Sequence, residues 1–225
     1  MTGKVKNKMS QNIHLIETHS LGECWLQVSK LIMEQGQLSR YDGAKTREVA
    51  NLSMVIEAPD LADPLILEHG DPHWLEWMHE NFFVQKEVAE LDNAASYAIR
   101  LFNYSEAGRD QIRWVIERLR REPEARSAAI TTFMPLTDTT YIPCISLLDF
   151  WIPAEAVELI VYAHSLDFGK KAYGNLVELA QLQSMVATQL DRAIGKLIIH
   201  VKTAHIYEPE WDFMRELYTS VGSRS

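Results

Sequence analysis

Three features of the 225-residue chain predict an α+β domain in which a mixed β-sheet packs against helices. Four strand-like runs, AAITTFM (128–134), ISLLDFWI (145–152), AVELIVYA (156–163) and KLIIHVK (196–202), crowd the second half. One long helical run, AYGNLVELAQLQSMVATQL, separates the last two of them, with Leu176, Leu179, Ala180, Gln183, Ala187 and Leu190 at helical spacing. A second amphipathic run, QIRWVIERLRRE, lines up Ile112, Val115, Ile116 and Leu119 on one face and charges on the other. No repeat, low-complexity tract or long linker interrupts these elements, so a single domain is expected over 19–225, preceded by a polar arm at 1–18.

Each element carries its own start and stop signals. Ser20-Leu21-Gly22-Glu23 has the form of a capping box, opening a helix that carries Trp25, Val28, Leu31 and Ile32 and halts at Gly36. Asp42-Gly43 marks a turn ringed by Arg40, Lys45 and Arg47, which is either a solvated basic turn or an anion-gripping loop, and an apolar strand then runs to about Ile56. In the aromatic-rich stretch from Pro59 to Glu90, Trp74 and Trp77 fall on one face of a short helix. Asp110 caps the amphipathic run. The runs at 145–152 and 156–163 are apolar at every position parity, which predicts burial on both faces.

Composition narrows the function. A formal charge of -9 argues against duplex DNA as a partner, because such binding needs a basic face to displace counterions. It leaves room for a small phosphorylated ligand. With only Cys24 and Cys144, far apart in sequence, no disulfide framework or thiolate metal site is expected. His69, His73 and His79 lack the spacing of a zinc site. The N-terminus shows no signal-peptide core and no apolar run is long enough to span a membrane, so a soluble cytoplasmic protein is expected.

The chemistry centres on Cys144. Only Pro153, Ala154 and Glu155 separate the middle two strands, so they form an antiparallel hairpin in which facing positions add to about 309. Cys144 therefore faces His164 or Ser165 at the open end. Asp167 follows, then Asn175 at the start of the long helix, and the last strand delivers His205 and Tyr207. So many polar side chains at element ends favour a nucleophile over an inert core thiol. Two chemistries fit. One is acyl transfer by a Cys144/His164 pair oriented by Asp167 or Asn175, the arrangement of a cysteine hydrolase. The other is thiolate addition to an electron-poor ring read by Asn175, His205 and Tyr207.

Over roughly 100–208 the sequence resembles the thymidylate synthase superfamily. The likeness is carried by DQIRWVIERLRREPEAR (110–126), IPC (142–144), HSLD (164–167), GN (174–175) and AHIY (204–207), in order and at matching gaps. TREV and VIEAP, further upstream, are most similar to its short archaeal branch. The resemblance implies that Cys144 attacks C6 of a pyrimidine nucleotide, and that C5 accepts a one-carbon unit from 5,10-methylenetetrahydrofolate or a related tetrahydropterin. It implies Asn175 on the ring, His205 and Tyr207 on the sugar, Ser165 and Arg126 on the phosphate, and Asp167 facing pterin and nucleotide together. Arg126 would cross from the other subunit of a homodimer. Trp74 and Trp77 would flank the folate, and Glu57 would manage proton traffic at the ring.

Position 164, an arginine in the family's pattern, is histidine here, and paired arginines appear as Arg126-Ser127. A weaker grip on a 5'-phosphate is expected, each charge-assisted bond contributing about 1.5–3 kcal/mol, unless Arg40, Lys45, Arg47, Lys170 or Lys171 compensates. The missing arginines also leave open a catalytically degenerate nucleotide-binding homologue. The short C-terminal segment after Tyr207 would leave the site open, so that water could capture a methylene intermediate and give a hydroxymethyl product in place of a methyl one.

Overall fold

The computed structural model describes residues 13–105 and 107–222. In chain order they form β1 (His14–Thr18), α1 (Leu21–Gln35), β2 (Gln37–Tyr41), β3 (Ala44–Ile56), α2 (Pro64–His69), α3 (Pro72–Phe83), β4 (Glu87–Val88), β5 (Ala94–Ala95) and α4 (Tyr97–Phe102). There follow α5 (Gln111–Arg121), β6 (Ala129–Thr131), β7 (Ile145–Trp151), β8 (Ala156–Asp167), α6 (Ala172–Leu190), β9 (Ala193–Tyr207) and α7 (Trp211–Gly222). The main sheet has the order β1-β3-β9-β8-β7-β6, with β2 folded back on β3. β1 lies parallel to β3 and β8 parallel to β9, and the remaining pairs are antiparallel, so the sheet is mixed as expected.

Side-chain caps set most helix starts. The Ser20 hydroxyl accepts from Glu23 N at 3.3 Å and the Glu23 carboxylate accepts from His19 N at 3.0 Å, a capping box displaced by one residue at its return bond. Asp63, Asp71 and Asp110 cap α2, α3 and α5, each accepting from a backbone N–H of the first turn. Gly36 ends α1 because the chain turns so tightly there that a Cβ would lie 2.2 Å from the Ile32 carbonyl oxygen. α1 and α6 cover one face of the sheet and bury Trp25, Ile32, Leu176 and Leu179 against Met54, Leu159, Val161 and Ile199.

Three expectations need correction. Residues 14–18, assigned to the polar arm, form the edge strand β1, whose backbone pairs with Leu52–Ile56; the rest of the arm, residues 1–12, lies outside the described residues. AAITTFM shortens to the three residues of β6, because Thr132 turns its hydroxyl onto the Ile145 carbonyl. Finally, β7 and β8 are buried on one face only. Leu15, Ser53, His200, Tyr162 and Leu147 stand in register across five strands on the uncovered face, where Leu15, Tyr162 and Leu147 are exposed.

Local irregularity re-aims one end of this sheet. Buried positions advance by two along β9 to Val201 and then by three to Ala204; they jump likewise from Ala163 to Leu166 in β8 and from Val49 to Leu52 in β3. Asn51, in the middle of the β3 jump, takes a left-handed φ of 56°. The pairs on either side, Ala50–Thr203 and Leu52–Val201 and likewise Ala163–Val201 and Ser165–Thr203, keep one register, so the irregularity is a kink shared by the three strands that swings the residues beyond it to the other face. It turns Ser165, Asp167, His205 and Tyr207 away from the helices.

Candidate active site

Those four side chains face a cavity of about 760 Å³ at the end of the sheet where β8 and β9 finish. Parallel pairing sets Asp167 opposite His205, and the antiparallel pairing of β3 brings the β2–β3 turn alongside Tyr207. Cys144, Asn175 and His164 complete the set that the sequence placed together, and all line the same cavity.

Cys144 stands immediately before β7. Its carbonyl accepts a hydrogen bond from His164 N at 2.9 Å, so the hairpin register, Leu147 opposite Tyr162 through Trp151 opposite Glu158, carries the two residues to its open end. No hydrogen bond joins the Cys144 sulfur to either cavity imidazole, so a thiol–imidazole pair is not formed. Burial pushes the Cys144 thiol up, Lys171 draws it down, and Asp167 pushes it up further. Cys24 is core, with burial lifting its thiol to about 12.

The wall opposite the thiol is polar and organised. The Ser165 hydroxyl and His205 Nδ1 are 3.2 Å apart, and the Tyr207 ring meets His205 edge-on at 5.0 Å. Burial holds His205 down at about 4, a neutral imidazole at physiological pH. Asp167 accepts from Gly169 N at 3.0 Å, yet burial raises its carboxyl to about 6, near the pH where proton transfer is easiest. Asn175 donates its side-chain amide to the Lys171 carbonyl at 3.0 Å, which fixes the amide plane one turn into α6.

Other expected residues lie elsewhere. Glu57 caps the far end of β3, where Lys196 binds it at 2.7 Å and holds its carboxyl low; it cannot reach the thiol. Arg47 pairs with Ile206 on the helix-facing side, and its guanidinium lies 5.3 Å above the Trp211 ring. Lys45 is bound to Glu208 and Lys170 to Glu210, and neither lysine lines the cavity. Arg126 is exposed outside the cavity of its own chain. Trp77 lines the cavity but Trp74 stands behind it, their rings 6.0 Å apart, and the Lys171 ammonium sits over both.

Two contributors are absent from the sequence reading. Tyr97, the first residue of α4, lines the cavity and accepts from Ile145 N at 3.0 Å. The turn residues Tyr41 and Asp42 lean over the opening, with Tyr41 6.1 Å from the His205 ring. The Asp42-Gly43 turn signal marked the place, but nothing local showed what it would face. With Asp42, Glu90, Asp92 and Asp167 on the wall against one lysine, the cavity is acidic.

The comparisons agree with this geometry. A family model described as thymidylate synthase matches residues 27–221. A protein of Methanosarcina acetivorans, provisionally named a thymidylate synthase, is 30% identical over 214 residues, which is 92% of this chain and 95% of its own length. A Methanococcoides burtonii protein with the same provisional name is 30% identical over 215 residues, again 92% and 95%. The Mycoplasma genitalium thymidylate synthase is 26% identical over 167 residues, 64% of this chain and 57% of its own.

Proposed function

The chain belongs to the thymidylate synthase family, and we propose that it transfers a one-carbon unit to C5 of a pyrimidine nucleotide through a covalent adduct at Cys144. The observation that carries this is the convergence of Cys144, Asn175, Asp167, His205 and Tyr207 on one cavity from four separate elements. The thiolate adds to C6, the displaced electron pair lets C5 bond the one-carbon unit as that carbon's bond to the donor nitrogen breaks, and loss of the C5 proton with later expulsion of the thiolate restores the ring. 5,10-methylenetetrahydrofolate, or a related tetrahydropterin, supplies the carbon.

The chain's own groups divide the work. Asn175, with its nitrogen committed to the Lys171 carbonyl, offers its oxygen to a ring N–H. His205, Ser165 and Tyr207 hydrogen-bond the sugar. Asp167 lines the same cavity as the thiol, and its carboxyl at about 6 passes a proton in either direction. Trp77 offers an indole face to the pterin. Hydride given up by the tetrahydropterin, which would leave as the dihydropterin, would give methyl, and water capture would give hydroxymethyl. The protein works as a homodimer, a second copy covering the bare sheet face and bringing Arg126 to the phosphate.

The test is tritium release from C5-labelled dUMP, UMP, dCMP and CMP with methylenetetrahydrofolate, followed by the mass of the product. Release that vanishes in Cys144→Ala is expected. Tight nucleotide binding without release from any of the four would instead make the chain a non-catalytic member of its family.

A further inference from the structure

Among the described residues Lys171 is the sole lysine or arginine on the cavity wall, and nothing in the catalytic scheme above uses its side chain. It occupies the capping position of α6, where its side chain caps nothing. Its ammonium lies 4.9 Å from the Trp77 ring centre and 5.2 Å from that of Trp74, and among the described residues it has no ion pair. Its neighbour Lys170 turns the other way, to Glu210 at 2.8 Å. Two indoles thus hold an otherwise unpaired cation inside the cavity, an arrangement that keeps its charge available to a neighbouring anion.

The groups around the Cys144 thiol leave few charges to act on it. Tyr97 from α4, Tyr141 from the loop before Cys144 and Tyr207 from β9 all have hydroxyls pushed up by burial, so they stay neutral where a thiol ionises. His164, beside it on β8, is held down by burial and by Lys202, so it too is neutral there. What remains is Asp167, which opposes a thiolate, and Lys171, which favours one. We infer that Lys171 is the counter-charge of the Cys144 thiolate, a positioning residue whose ammonium is held against Trp77 and Trp74 on the wall of the same cavity. The inference rests on Cys144 being the nucleophile of the proposed transfer, but its test needs neither nucleotide nor pterin.

The test is the pH dependence of Cys144 alkylation by iodoacetamide in the full chain, with the modified residue located by peptide mass. In Lys171→Met, whose stem keeps its contact with the indoles, the midpoint is expected to rise by about one pH unit, making alkylation about tenfold slower at neutral pH. Lys171→Gln is expected to do the same and Lys171→Arg to restore the midpoint, with thermal melting as the check on folding. Asp167→Asn, which removes the opposing charge, is expected to lower it. Midpoints that stay at the wild-type value in folded Lys171→Met and Lys171→Gln overturn the inference and leave the transfer reaction standing. Absence of tritium release from the wild-type chain, with the midpoint shift present in the Lys171 variants, would overturn the transfer reaction alone.

Discussion

The Tyr97 hydroxyl accepts a hydrogen bond from the backbone N–H of Ile145 at 3.0 Å, one residue beyond Cys144. This bond ties the first residue of α4 to the first residue of β7 and so fixes the height of the thiol in the cavity. Tyr97→Phe keeps the ring stacked on Phe82, 4.6 Å away, and strands only the buried N–H. An unsatisfied buried donor costs about 1–3 kcal/mol, so an unfolding free energy lowered by that amount, read as a lower urea midpoint with an unchanged slope, is expected. Slower alkylation of Cys144 should accompany it.

The loop that leads to Cys144 is held by a buried ion pair. Arg100 binds both oxygens of Asp138 at 2.8 Å and donates to the Thr132 carbonyl at 2.8 Å, while the Asp138 carboxylate also accepts from Met134 N. Gln111, the glutamine of the DQI motif, donates to the carbonyls of Arg100 and Thr131 and locks the clamp to α5. Arg100→Met leaves a buried carboxylate without its partner, and a loss of about 3–5 kcal/mol is expected in denaturant unfolding. The double variant Arg100→Met/Asp138→Leu should recover part of that loss.

How much of this was legible in the sequence depended on how local the signal was. The β7–β8 hairpin could be read because a turn of Pro153, Ala154 and Glu155 leaves one register, which brings Cys144 to His164 or Ser165; the irregularity between Ile145 and Leu147, which has no trace in the sequence, makes the partner His164. Asp167, Asn175, His205 and Tyr207 were legible as polar residues at element ends. Arg47 is grouped with the turn cations by nearness in sequence alone, but it stands three residues into β3 opposite Ile206, and its guanidinium lies over the Trp211 ring. Tyr97 and Tyr41 reach the site only through packing between distant segments, which leaves no periodic trace. β1 looked like an arm because an edge strand with one face open, HLIET, alternates too weakly to stand out.

The Asp167 carboxyl gives stability a definite pH dependence. Its value rises from 3.8 to about 6 on folding because burial penalises the charged form. Between those values the folded chain keeps a proton that the unfolded chain has lost, so this group's contribution to stability falls as pH rises through the window and stays low above it. Asp167→Asn retains an acceptor for Gly169 N without the charge. It should exceed the wild type in stability at pH 7 by at most about 3 kcal/mol, less to the extent that water reaches the carboxylate, and match it at pH 4. Urea titrations across that range measure the difference.

The acidic cavity makes the phosphate the part of the substrate most dependent on a second copy. Asp42, Glu90, Asp92 and Asp167 repel a dianion, His164 is neutral, and Lys171 is the counter-charge inferred for the thiolate. Among the described residues of one chain no arginine lines the cavity, so the proposed source of a guanidinium is Arg126 across the dimer. Arg126→Gln should therefore weaken UMP binding by about 10-fold to 150-fold, the span of one charge-assisted bond, and leave uridine binding unchanged. Calorimetric titration of both ligands separates these effects. Mixing Cys144→Ala with Arg126→Gln supplies the sharper readout. If Arg126 serves its own chain's cavity, the mixture stays as inactive as its components. If it serves the partner's, half of the randomly formed dimers hold one intact site, and about a quarter of wild-type tritium release returns.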